Sequence, residues 1–173
     1  MLIRNPICGA PITYSKYAPL NQDGREAVIQ WLAGLDKWTH ALTLTMSRSK
    51  NGLPPGHDES LRRCRLLLNR INRVCYGRHG TRRKGFRIAS VAFMGYGVYG
   101  DHPHIHWALA RPSDIESDEF TALLRSMIMT TKGLGTQFDI QVYYGVGWFE
   151  YMLDHGIQGF VEQLTFAAKC PVQ

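Results

Sequence analysis

The spacing of apolar residues changes period several times along the chain. Over residues 25–37, Val28, Trp31, Leu32 and Leu35 recur at helical spacing. Residues 39–47 alternate instead, with Leu42, Leu44 and Met46 on one side and Thr43, Thr45 and Ser47 on the other. That is the pattern of a half-buried strand with a hydroxyl-lined outer face. After the loop SRSKNGLPPGH, a helix is expected to start near Asp58 or Ser60, both acceptable N-caps, and to stop at Gly77. Leu61, Cys64, Leu68, Ile71 and Cys75 form its buried stripe. The loop GRHGTRRKG precedes a strand over 86–94, a Gly/Tyr-rich turn over 95–103 and a second strand over 104–110. Residues 114–131 predict an amphipathic helix that offers Phe120, Leu123, Leu124, Met127 and Ile128 to a core. A strand over 138–144 and a last helix beginning at 148–155, bent near Gly156 and Gly159, complete the pattern. Residues 1–24 carry Pro6, Pro11, Pro19 and an Asn-Gln-Asp-Gly turn signal and read as irregular.

The order is helix, strand, helix, strand, strand, helix, strand, helix. The connection at 95–103 is too short for a parallel crossover. The expectation is an α+β fold, a central antiparallel sheet with helices packed mainly on one face. A chain of 173 residues suits one domain, 1–173.

Composition narrows the class. With 45% hydrophobic and 20% charged residues the chain is neither disordered nor fibrous. No run of about eighteen apolar residues appears, so no membrane span is expected, and the N-terminus lacks a secretory pattern. Cys8, Cys64, Cys75 and Cys170 form no CxxC pair. Cys64 and Cys75 read as small buried thiols, and the chain as cytoplasmic.

Charge is unevenly placed. The net charge is +6, and ten of the 20 Lys and Arg residues fall between Arg62 and Arg87, with none in 88–110. Within this patch Arg62, Arg63, Arg70, Arg78, Arg82, Arg83 and Lys84 are candidate phosphate contacts to a nucleic acid. Tyr96, Tyr99, Trp107, Tyr143, Tyr144 and Trp148 are available as stacking faces for unpaired bases, although some belong to the core.

The sharpest chemistry is His104-Ile105-His106. On a strand, positions i and i+2 share a face, so the two imidazoles converge while Ile105, Trp107 and Leu109 point inward. Such a pair can hold one divalent ion, Mg²⁺ or Mn²⁺, through neutral ring nitrogens. The alternative is a pair of satisfied surface histidines. Tyr151, in GWFEYMLDHG, would share a helix face with Asp154 and His155. A phenol, whose pKa is about 10, attacks phosphorus only with a metal, cation or base to help it.

Three motifs, in order, carry a resemblance. Ala41-Leu42-Thr43-Leu44-Thr45, Pro103 followed by His104-Ile105-His106-Trp107, and Tyr151-Met152-Leu153-Asp154 together resemble the HUH endonuclease superfamily over roughly residues 38–160, particularly its rolling-circle replication initiators. The resemblance implies a five-stranded antiparallel sheet whose central strands present the histidines. It implies metal-dependent nicking and joining of single-stranded or hairpin DNA at a plasmid or phage origin. The intermediate would be a 5′-phosphotyrosine at Tyr151, with a free 3′-hydroxyl. A transposase or relaxase role, a DNA-binding module that has lost catalysis, and an RNA-binding sheet are the alternatives. No Walker-type motif occurs, so unwinding would fall to a host helicase or to a region beyond this sequence.

The chain departs from the family pattern twice. Val91 to Tyr96, the strand before the histidines, offers no acid or amide as third ligand, leaving Asp101, His102, Asp154 or water. The usual lysine after the tyrosine is replaced by Asp154, with His155 next to it. Asp154 or His155 is therefore expected to face the metal, with Asp154 taken as the ligand and His155 as a catalytic partner of Tyr151.

Overall fold

The computed structural model describes residues 3–4, 11–12, 22–49, 51–96 and 103–156. Its order is β1 (Ile3–Arg4), β2 (Pro11–Ile12), α1 (Gln22–Leu35), β3 (His40–Met46), α2 (His57–Arg82), β4 (Ser90–Tyr96), β5 (Pro103–Leu109), α3 (Ser117–Thr130), β6 (Leu134–Val142) and α4 (Gly147–Gly156). Cys8, Tyr99, Asp101, His102, Gly159 and Cys170 lie outside the described residues.

The fold is α+β, and every strand pairing is antiparallel. Among the described residues the main sheet has four strands, not the expected five, in the order β4-β5-β3-β6. Two further strands, β1 and β2, pair with each other. Within residues 1–24, then, part of the expected irregular segment is a two-residue ladder, and α1 begins at Gln22.

Helices lie on both faces of the sheet, not mainly on one. Leu42 and Leu44 of β3, Ile105 and Trp107 of β5 and Met94 of β4 pack with Leu61, Cys64, Leu67, Leu68 and Ile71 of α2 and Phe120, Leu124 and Ile128 of α3. On the opposite face Phe93 and Ala108 pack with Val28, Ile29 and Leu32 of α1 and Phe149, Met152 and Leu153 of α4. The cause is visible in β5, where Ile105 to Leu109 are all buried. A strand without alternating exposure needs cover on both sides. The edge strand β6 keeps several exposed positions.

The basic segment after Gly77 is helical where a loop was expected. Gly77 adopts φ 66° and ψ 171°, a backbone state open to glycine, so the helix bends there and continues to Arg82. The Thr81 hydroxyl donates to the Gly77 carbonyl at 2.9 Å and steadies the bend. The next strand starts at Ser90 and not at 86, because the preceding amides turn back to α2. Phe86 N–H donates to Gly80 O at 3.0 Å, and Ile88 N–H to Asn72 Oδ1 at 2.7 Å.

Cys64 is buried and Cys75 half-buried, and both are free thiols. Burial pushes the Cys64 pKa up and raises that of Cys75 to about 12, with the Asp114 charge adding to the second, so neither is a reactive thiolate. No helix among the described residues is long and apolar enough to cross a membrane.

Candidate active site

Register builds the site. Thr43 pairs with His106 and Thr45 with His104 across β3–β5, while Phe93 and Gly95 face the same histidines from β4. Directly opposite residues share a face, so hydroxyls border the imidazoles on one side and apolar groups on the other. The two rings meet edge to face with centroids 4.8 Å apart. His106 is buried, and its Nδ1 lies 3.1 Å from Thr43 Oγ1. A hydroxyl that accepts the Nδ1 proton fixes the tautomer whose Nε2 lone pair is the donor atom.

The same face receives α4. Phe149, Met152 and Leu153 anchor the helix in the second core, and Gly145, at φ 117°, turns the chain into it. This anchoring leaves Trp148 and Tyr151, one turn apart, directed at the histidines. Their rings stack at 5.5 Å with 25° between planes. Tyr151 meets the His106 ring edge to face at 4.9 Å, and Trp148 does so at 5.8 Å. Tyr151 keeps 41% of its surface exposed, so the phenol is both held and reachable.

His104, His106 and Tyr151, three residues singled out in the sequence, are therefore together. Asp154 and His155 belong to α4 by backbone, and their side chains lie outside the described residues. Tyr143 and Tyr144, between β6 and α4, are the other phenols near the site and make poorer nucleophiles. The Tyr143 ring packs against Phe149 at 5.6 Å, and burial raises its phenol pKa. Tyr144 is 87% exposed on the loop before α4.

The pair fits a divalent ion as two imidazole donors on one rigid strand. Among the described residues no group of three or more His, Cys, Asp and Glu gathers as a metal site. β4 offers Val91, Phe93 and Gly95 to this face, none of them a ligand, as its sequence implied. Asp139, which sequence reasoning passed over, pairs with Thr43 from the far side of β3 and is the sole acid in the four-stranded sheet. It is exposed and accepts a hydrogen bond from Gln141 Nε2. The alternation in Phe138-Asp139-Ile140-Gln141 was the signal available for it.

The basic residues do not join this site. α2 covers the other face of the sheet. Arg62 and Arg63 both bind Glu59, whose carboxyl they hold at a pKa of about 2. Arg63 also donates to the carbonyls of Ser47 and Gly133, at 2.7 and 2.6 Å. Arg70 donates to Thr131 Oγ1 at 2.6 Å and Thr130 Oγ1 at 2.9 Å. Arg63 and Arg70 thus fasten α2 to the segment between α3 and β6. Arg78, Arg82, Arg83 and Lys84 are exposed, but on or just beyond the last turn of α2, close to Ser90. Ser90 pairs with Leu109, whereas Gly95 pairs with His104. Five residues of strand, roughly 17 Å, separate those ends.

No family model matches the chain, and no curated protein or solved structure matches it significantly.

Proposed function

We propose that the chain nicks and rejoins single-stranded DNA in a divalent-metal-dependent reaction, with Tyr151 as nucleophile. The observation that carries this reading is the Tyr151 ring against His106 on the face that also holds His104. A Mg²⁺ or Mn²⁺ ion on His104 and His106, with Asp154 as the candidate further ligand, would polarise the non-bridging phosphate oxygens.

The remaining steps fall to the protein. Trp148 and exposed Tyr144 offer ring faces to unpaired bases. Arg48 lies just past β3, whose Thr45 pairs with His104, and is a cation near that end of the site. The Tyr151 oxygen attacks phosphorus in line. A Tyr151 O–P bond forms as the bond from phosphorus to the 3′-oxygen breaks, and the 3′-oxygen takes a proton. The phenolic proton passes to a base, for which His155, one turn further along α4, is the candidate. Because the phosphodiester is kept as a phosphotyrosine, the 3′-hydroxyl can attack it and reverse the step. Initiation of rolling-circle replication is the role the sequence resemblance favours, with transposition or mobilisation as related uses.

The test is incubation with labelled single-stranded DNA pools and Mn²⁺, followed by denaturing gels and mass spectrometry. A covalent adduct mapping to Tyr151, absent in Tyr151→Phe and in His106→Ala, is expected. An adduct that persists in Tyr151→Phe overturns the assignment. A second reading, a DNA-binding module without cleavage, is favoured by Asp154 standing where the resemblance expects lysine. Single-strand binding with no adduct on any pool would establish that reading instead.

A further inference from the structure

Residues 60–90 hold ten cations and no acid, and the fold sorts those cations into two groups. Arg62, Arg63, Arg70 and Arg87 are committed to Glu59, to threonine hydroxyls or to backbone carbonyls. Arg65, Arg73, Arg78, Arg82, Arg83 and Lys84 are all exposed. Among the described residues none of these six forms an ion pair or a side-chain hydrogen bond; Lys84 only covers the Phe86 ring at 5.6 Å. Uncompensated cations at this density repel one another, and the fold tolerates that cost.

The surface also lacks something. Among the described residues no Phe, Tyr or Trp ring is exposed on it: Tyr76 and Phe86 are half-buried and pack edge to face at 5.8 Å, and the one exposed ring is the small imidazole of His79. Unpaired bases need ring faces to stack on. The phosphates of a duplex need only donors, because its bases stack on each other. The bend at Gly77 splits the cations into two runs set at an angle, Arg65 and Arg73 before it and Arg78 to Lys84 after it. An arrangement of that kind follows a curved backbone better than a straight row does. The stacking rings, Trp148 and Tyr151, are on the opposite face.

We propose that the outer face of α2, from Arg65 to Lys84, binds the sugar-phosphate backbone of duplex DNA, separately from the single strand at the histidine pair. The choice of DNA rests on the nicking reading; the choice of duplex rests on the charge and the missing rings. The protein would then hold a paired segment on one face and present the adjoining unpaired strand to Tyr151 on the other.

The experiment compares a duplex with a single strand of the same sequence by fluorescence anisotropy over a salt series, using the full chain. The variant Arg73→Gln/Arg78→Gln/Arg82→Gln/Arg83→Gln is expected to lose at least about tenfold in duplex affinity at low salt. Its log–log salt slope should shrink by about three to four, at about 0.9 per phosphate contact. The fourfold Lys variant at the same positions should restore most of both. Adduct formation on single strands should persist in the Gln variant. Unchanged duplex affinity and slope overturn the proposal, and so does an equal loss for duplex and single strand. If the wild type forms no adduct yet the Gln variant loses duplex binding, the nicking reading fails and this surface stands. Circular dichroism and melting confirm that each variant is folded.

Discussion

Thr43 and His106 face each other across the β3–β5 ladder, and the threonine hydroxyl meets the imidazole Nδ1 at 3.1 Å. A metal-binding histidine depends on the partner of its other nitrogen, which sets both tautomer and ring orientation. Thr43→Val keeps the strand shape and removes the hydroxyl. Mn²⁺ affinity by titration calorimetry is expected to fall about 10- to 100-fold, the usual cost of losing such a partner, and Thr43→Ser should recover most of it. Equal affinity in Thr43→Val and the wild type would remove the hydroxyl from the account.

A second histidine, His40, is also buried. His40 lies in the first core, its Nδ1 2.9 Å from Thr39 Oγ1 and its Nε2 3.1 Å from Thr121 Oγ1, with Phe120 edge-on at 4.9 Å. Burial, chiefly, and the charge of Arg111 hold its pKa below the ordinary 6.5, against a smaller opposing contact at Ser117. The unfolded chain therefore takes up the proton first as pH falls. The contribution of neutral His40 is complete above pH 6.5 and declines as pH drops from there through the folded-state value. Urea midpoints measured from pH 8 to pH 5 should fall more steeply for the wild type than for His40→Gln. Parallel curves would show that His40 does not contribute.

Gly135 sets how closely β6 approaches β3. A Cβ there would lie 2.9 Å from the Thr45 carbonyl oxygen and closer still to its hydroxyl, near the register shift between Leu44 and Met46. Gly135→Ala is expected to cost about 1–3 kcal/mol, lowering Tm by about 2–4 °C per kcal/mol in a chain of this size. Because Thr45 pairs with His104, Mn²⁺ affinity should weaken with it. A melting temperature at or above that of the wild type would show that the strands adjust freely.

Asn72 is buried in α2, and its Oδ1 accepts the amide of Ile88. Asn72→Ala leaves that amide without its acceptor in a closed core, a loss of about 1–3 kcal/mol. The denaturation midpoint should fall, and the Ile88 amide should exchange faster than in the wild type. Full protection at Ile88 would mean that another acceptor has replaced Asn72.

The elements were legible where one physical rule decided them. The alternation of Leu42, Leu44 and Met46 against Thr43 and Thr45 placed β3 and both of its faces correctly, and i,i+2 parity brought His104 and His106 together. Gly77 misled because glycine is both a helix stop and a tolerated bend, and only the return contacts from Phe86 and Ile88 decide between them. The placement of the arginines was not legible, for a different reason. Helical periodicity says which of them avoid the core of α2, but not which face of the sheet α2 will cover. That depends on the packing of Ile105 and Trp107 against it, a long-range fact. Asp139 was hidden likewise, since its nearness to the histidines exists only through the register of β6 on β3.

The second position of β5 in the sheet has a mechanical consequence. The strand that bears the imidazoles is hydrogen-bonded on both sides and covered on both faces, so it can open only with the whole fold. α4 is ten residues long and is anchored by three buried side chains. Hydrogen exchange should find His104 to Trp107 among the slowest amides and α4 far faster. In the proposed reaction the imidazoles would be a fixed anvil and the tyrosine the moving part, and a strand attached to Tyr151 would travel with its helix and return to the same unmoved seat.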